Sequence, residues 1–212
     1  MNLSIRRAWF RGGASMAGVA VLAAATLMAS SAAASADTTL NATYPISGST
    51  YVANPGATLP LGPGKLAASV DLTTGAITAT LTLPNATGSF KEFGLVPVTA
   101  TAQIINDGAT TGTLNLSTGA VQTTSHITMR IASLSVAGIN VPVGPACQTA
   151  IPVTVALSSQ PGFNVLKGGT VAGSYNLPLF AHCLLATSLI NLTLPGPNNT
   201  ISLTLGKAKI KS

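Results

Sequence analysis

The chain has 212 residues, of which 7% are charged and 4% aromatic, with 21 Gly, 13 Pro, two Cys and a formal net charge of +6. That composition excludes an acidic disordered chain, a heptad coiled coil, a disulfide-dense mini-protein and a basic nucleic-acid binder. It bounds compartment and architecture but names no activity.

Residues 1–36 read as a secretion signal. Arg6, Arg7 and Arg11 precede an uncharged run from Met16 to Ala29, and Ala34-Ser35-Ala36 supplies the small residues of a cleavage site. The mature chain is therefore expected to begin at Asp37. The apolar run is shorter than the roughly 20 residues of a spanning helix, and polar residues interrupt every later stretch, so no membrane span is expected after cleavage. Arg6-Arg7 partly matches the twin-arginine export pattern, but the usual Ser or Thr is displaced to Ser4, which favours the general secretory route. The expected location is extracellular or at the cell wall.

Cleavage takes three Arg with it and lowers the net charge from +6 to +3, and three of the remaining cations, Lys207, Lys209 and Lys211, sit in the C-terminal tail. Between Asp37 and Gly206 the charges balance: Lys65, Lys91, Arg130 and Lys167 against Asp37, Asp71, Glu92 and Asp107. A neutral body has no long-range field to steer polyanions, and the sole Trp, Trp9, leaves with the signal. No nucleic-acid partner is expected.

After residue 36 the hydrophobic period is two. Leu66, Ala68, Val70 and Leu72 alternate with Ala67, Ser69 and Asp71, Thr74-Gly75 turns the chain, and Ile77, Ala79, Leu81 and Leu83 alternate with Thr78, Thr80 and Thr82. The pattern returns at Leu114–Leu116, at Ile127, Met129 and Ile131, and at Val153, Val155 and Leu157. It recurs at Ile190, Leu192 and Leu194 and at Ile201, Leu203 and Leu205. Turn residues separate these runs, and no helical period with caps stands out.

Two segments echo each other. Leu72-Thr73-Thr74-Gly75-Ala76-Ile77 matches Leu116-Ser117-Thr118-Gly119-Ala120-Val121 at an offset of 44 residues, so 66–98 and 110–143 read as a similar pair of hairpin units. Pro97, Pro142 and Pro152 are expected at strand starts or edges, where a missing N–H is harmless. The fold expected is all-β: a single-domain antiparallel β-sandwich of roughly ten strands over 37–212, Greek-key or immunoglobulin-like in style. An envelope pore-forming barrel is the alternative use of such strands. Against it, Tyr44, Tyr51, Phe90, Phe93, Phe163, Tyr175 and Phe180 are too scattered for two aromatic girdles.

The only cysteines, Cys147 and Cys183, read as one disulfide in an exported chain. Around them, Cys147-Gln148-Thr149-Ala150-Ile151-Pro152 and Gly168-Gly169-Thr170-Val171-Ala172-Gly173-Ser174-Tyr175-Asn176-Leu177-Pro178-Leu179-Phe180-Ala181-His182-Cys183 resemble a pattern in small secreted β-proteins of actinobacteria. Pro195-Gly196-Pro197-Asn198-Asn199-Thr200 fits the same pattern, and Leu184 stands where that group often has Gly. The resemblance covers the C-terminal third and implies no function.

Groups able to do chemistry are sparse. A metal site could draw on Cys147, Cys183, His126 and His182, but a disulfide removes two of these ligands. A Ser/His/Asp hydrolase could draw on His126 or His182 with Asp71 or Asp107, but no Gly-x-Ser-x-Gly elbow supports it. No cofactor is expected. The leading expectation is a secreted noncatalytic envelope or extracellular protein acting by binding or structure, with an exported hydrolase or metal protein using His126 or His182 as its rival. Partners that suit charge-poor, Thr-rich faces are neutral glycans, hydrophobic surfaces or further copies of the chain. Phe90, Phe93 and Phe163 form the candidate contact patch if exposed, and otherwise plug the ends of the core.

Overall fold

The computed structural model describes residues 38–92 and 94–211, which belong to one compact unit, Asp37–Ser212. The expected signal sequence lies outside the described residues. Among the described residues the architecture is all-β, with a single short α-helix. In chain order the strands are β1 (Thr39–Val52), β2 (Ala57–Asp71), β3 (Ala76–Thr82), β4 (Ala86–Glu92), β5 (Val96–Asn106), β6 (Thr110–Leu114) and β7 (Val121–Val136). There follow β8 (Ile139–Val141), β9 (Gln148–Thr149), β10 (Val153–Ser159), β11 (Gly169–Leu177), β12 (Phe180–Ala181), the helix α1 (Thr187–Thr193), β13 (Gly196–Leu205) and β14 (Lys209–Ile210).

The all-β fold and its disulfide are as expected, but in place of the antiparallel β-sandwich the strands close into a barrel. Eight strands run side by side in the order β10-β11-β13-β1-β2-β3-β6-β7, and β7 pairs back to β10 from Val153↔Ile127 to Ser158↔Gln122. Closure removes the edges that an open sheet would expose. It depends on the length of β7: Val121–Ile127 completes the barrel, and the strand then runs on to Val136, pairing β5 and through it the edge strand β4. The extension folds over the barrel wall at β2. Gly88 makes that approach possible, because a Cβ there would lie 2.6 Å from Leu59 Cγ.

Side-chain facing follows from the alternation. Tyr44, Ile46, Ile77, Ala79, Leu114, Leu203 and Leu205 are buried, while Thr78, Thr80, Thr82, Thr111, Thr200, Ser202 and Thr204 are exposed on the opposite face. The barrel is thus apolar within and hydroxyl-rich without, the inverse of a lipid-spanning barrel. Pro152 sits just before β10, and Pro97 is the second residue of β5.

The similar hairpins lie next to each other in one sheet, joined by β3–β6 pairing. Their turns use the same hydrogen bonds. Asp71 Oδ1 accepts from the N–H groups of Thr73 (2.7 Å) and Thr74 (3.1 Å), and Thr74 Oγ1 accepts from Ala76 N–H. Asn115 Oδ1 accepts from Ser117 and Thr118 (both 3.0 Å), and Thr118 Oγ1 from Ala120 N–H. Gly75 and Gly119 take the left-handed position in each, at φ 76° and 75°. The predicted strand at Leu114–Leu116 therefore stops at Leu114, where Asn115 starts the turn.

The turns differ in one respect. The Thr73 N–H, then the Thr74 N–H, hold the Asp71 carboxyl below its ordinary range, whereas Asn115 does not titrate. A depressed folded-state pKa stabilises above the unfolded value, and that contribution is lost as pH falls through the folded value. Asp71→Asn is expected to leave the neutral-pH Tm nearly unchanged and to flatten the acid limb of stability, read by thermal melts between about pH 7 and pH 2. A steeper acid loss in the variant would contradict this role.

One prediction about an element fails outright. Ile190, Leu192 and Leu194 belong to α1 and its C-terminal boundary rather than to a strand. The same segment carries a second, helical period, Ala186–Ile190–Thr193, and that face is buried.

Candidate functional site

The helix is seven residues long and has no side-chain N-cap, too short to persist in isolation. Tertiary contacts hold it. The Cys147–Cys183 disulfide, fully buried, anchors the chain four residues before it begins. Asn191 clamps it to β12: its Oδ1 accepts from Phe180 N–H (2.7 Å) and its Nδ2 donates to the Phe180 carbonyl (2.9 Å). Thr187 Oγ1 accepts from Cys183 N–H (3.2 Å) and donates to the Leu184 carbonyl (2.9 Å). Leu184 itself has φ 54°, a left-handed conformation that suits glycine better.

So held, the 3-10 turn Leu184–Ala186 and the α1 helix that follows it present two apolar stripes. Ala186, Ile190 and Thr193 face the sheet, while Leu185, Leu189 and Leu192, at the i, i+4, i+7 spacing of an adjacent face, look outward. Leu185 is 99% exposed and Leu192 74%. Between the helix and the β4–β5–β7 extension lies a groove of about 230 Å³. Its floor is Phe90, Val98, Ala100, Leu134 and Val136, and its helical wall is Leu189, Ile190, Thr193 and Leu194. Val96 lines the mouth beside Leu95, which is 82% exposed, and Ile139 pairs with Val136 across the β7–β8 turn and is also exposed.

The groove has almost no polar character. Glu92 is the one charged residue in its lining. The Thr193 hydroxyl is spent on the Leu189 carbonyl at 3.1 Å. A partner gains nothing here from charge or hydrogen bonding and gains by desolvation, since fully burying a leucine is worth roughly 1.5–3 kcal/mol.

The residues singled out in the sequence lie elsewhere or play a different part. Phe90 is half-buried in the floor of the groove, Phe163 is half-buried in the barrel, and Phe93 lies outside the described residues. Phe90 thus belongs to the groove and Phe163 to the barrel interior, so the two described members of the expected patch do not share one surface. His126 is exposed on the outer barrel face, where Thr154 Oγ1 lies 3.2 Å from its Nδ1. His182 is in the turn before the disulfide, at φ 60°. Asp107 N–H donates to the His126 carbonyl, but Ser125 faces the barrel interior, and among the described residues no serine hydroxyl bonds either histidine. Nor do three His, Cys, Asp or Glu side chains converge among the described residues to hold an ion.

The leucines of α1 escaped the sequence reading because alternation at Ile190, Leu192 and Leu194 masked them. The signal that finds them is the pair of interleaved stripes, 185/189/192 and 186/190/193, following directly on a cysteine. Comparison with models of protein families, with curated proteins and with solved structures finds no match to this chain.

Proposed function

We propose that the protein is an exported, noncatalytic binding protein of the cell envelope or extracellular space that engages a neutral, apolar surface through the α1 end of the fold. The observation that carries this reading is the exposed Leu185–Leu189–Leu192 stripe beside an apolar groove whose mouth is lined by exposed Val96 next to exposed Leu95. Export is supported by the N-terminal pattern and by a buried disulfide, which persists in oxidising compartments. The hydroxyl-rich outer wall and the scattered titratable groups support binding over catalysis.

Vesicles of neutral phosphatidylcholine provide the test. The purified protein is expected to float with them, and Leu185→Ser/Leu189→Ser/Leu192→Ser to bind at least about tenfold more weakly, since each tenfold step needs only about 1.4 kcal/mol. A mass-spectrometric start at Asp37 in exported protein checks the other half of the reading. Equal flotation of both proteins would sink the assignment. So would leucine-dependent dimerisation without flotation, which would make the partner a second copy.

A further inference from the structure

The fully buried residues of the barrel fall into two clusters, bridged by half-buried Leu66 and Ala68. Val70, Ile77, Ala79 and Leu114 form a cluster of their own, separate from the main cluster that contains Tyr44, Ile46, Val171, Leu203 and Leu205. Between them is a cavity of about 80 Å³, lined from both clusters. Well-packed interiors hold few voids larger than one water, whose share of liquid volume is about 30 Å³.

The cause is local. Ala68 of β2 and Ala79 of β3 are directly paired and line the same cavity, so two methyl groups stand where neighbouring pairs such as Leu66↔Leu81 place long side chains. The wall is otherwise hydrocarbon except at β6–β7, which contributes Thr110, Thr123 and Ser125. Thr110 Oγ1 and Ser125 Oγ share one hydrogen bond at 2.7 Å. Among the described residues Thr123 Oγ1 has no partner, although the side chain lines the cavity. The far end is closed by the β10–β11 loop, whose Phe163 and Val165 reach into the lining, and Tyr44 Oη donates to the Val165 carbonyl at 2.9 Å to hold that loop down.

From this arrangement we infer that the barrel interior is a binding site for one small, neutral, mainly hydrocarbon molecule carrying a single hydrogen-bonding group, with the Ala68–Ala79 pair providing the room and Thr123 the polar contact. Eight-stranded barrels are of the size that either fills with side chains or holds one small ligand, and this one stops short of filling. An apolar cavity takes up xenon or small hydrocarbons, whereas an ordered water needs two to four polar partners, which this wall offers only along β6–β7. The site shares no lining residue with the groove beneath α1.

Methyl NMR of the full chain under xenon, propane and propan-1-ol reads this directly. Saturable shifts are expected at the Ala68, Ala79 and Ile77 methyls. Thr123→Val is expected to leave xenon binding intact and weaken propan-1-ol by about three- to tenfold, the worth of one hydrogen bond. Ala79→Leu fills the space and is expected to weaken both ligands at least about tenfold. The wild-type methyl map stands by itself if that variant does not fold. Absence of saturable shifts at these methyls, or unchanged affinities in a folded Ala79→Leu protein, would overturn the inference. Retention of xenon in the leucine triple variant separates this site from the groove.

Discussion

Replacing Cys147 and Cys183 together by alanine is expected to lower the free energy of unfolding by about 4 kcal/mol, the chain-entropy value for a bridge that closes this many residues. The bridge spans a sequence separation of 36, and both sulfurs are fully buried, so no compensating hydration is gained in the folded state. A loss of that size is a large part of the roughly 5–15 kcal/mol that stabilises a typical domain, and corresponds to a Tm lower by about 8–16 °C. The effect has a second, local component. Cys183 is the last covalently fixed point before α1, so without the bridge the helix is held by Asn191, by the bond from the residue-183 N–H to Thr187 Oγ1 and by the buried Ala186–Ile190 face. Amide exchange at 183–194 is therefore expected to accelerate more than exchange in β1, β2 and β13. Urea melts of the reduced and oxidised wild type and of the double variant check the first part. A loss below about 1 kcal/mol would show that the folded state, and not the restricted unfolded chain, sets the bridge's contribution.

What could be read in the sequence, and what could not, divides along physical lines. The hairpin from Leu66 to Leu83 was legible because alternation and a Thr74-Gly75 turn are both local signals. The pairing of Cys147 with Cys183 was legible by arithmetic. Barrel closure was not, because alternation reports which side chains share a face and not whether the sheet meets itself. That depends on β10 finding Gln122–Ile127 rather than any other exposed edge. The helix was hidden for a different reason: Ile190, Leu192 and Leu194 satisfy period two while Ala186, Ile190 and Thr193 satisfy the helical period. Tertiary anchoring by the disulfide and Asn191 decides between them. The phenylalanine patch could not be resolved at all from sequence, since an aromatic in a loop serves equally as a plug or a contact. Phe163 packs into the barrel and Phe90 into the floor of the groove, beside which the exposed stripe is built from leucines.

The second large effect is expected at Asn199, a polar residue only 1% exposed. Its Oδ1 accepts from Ala53 N–H at 2.9 Å, and its Nδ2 donates to the carbonyls of Tyr175 (3.2 Å) and Gly196 (2.8 Å). One amide thereby ties the β1–β2 turn, β11 and the start of β13 together at the α1 end of the fold. Beside it, Thr50 Oγ1 donates to the Thr200 carbonyl at 2.9 Å and lies 2.8 Å from Tyr175 Oη, and burial raises the Tyr175 phenol above its ordinary pKa. Asn199→Ala leaves one donor and two acceptors without partners where water has little access. At about 1–3 kcal/mol for each buried group left unsatisfied, a total loss of about 3 kcal/mol or more is expected. Asn199→Asp discriminates the hydrogen-bond account from simple loss of volume, because the side chain is nearly isosteric. A carboxylate keeps the bond from Ala53 but turns a second oxygen toward two carbonyl oxygens, and only its protonated form can donate to one of them. Its folded-state pKa is accordingly raised, the stabilising form is present below the unfolded value, and stability is lost as pH rises through the folded value. The Asn199→Asp protein is thus expected to lie closest to wild type in acid and furthest from it at neutral pH. Equal deficits for the Asp variant at both ends of the pH range would mean that shape, and not the three hydrogen bonds, is what this position contributes.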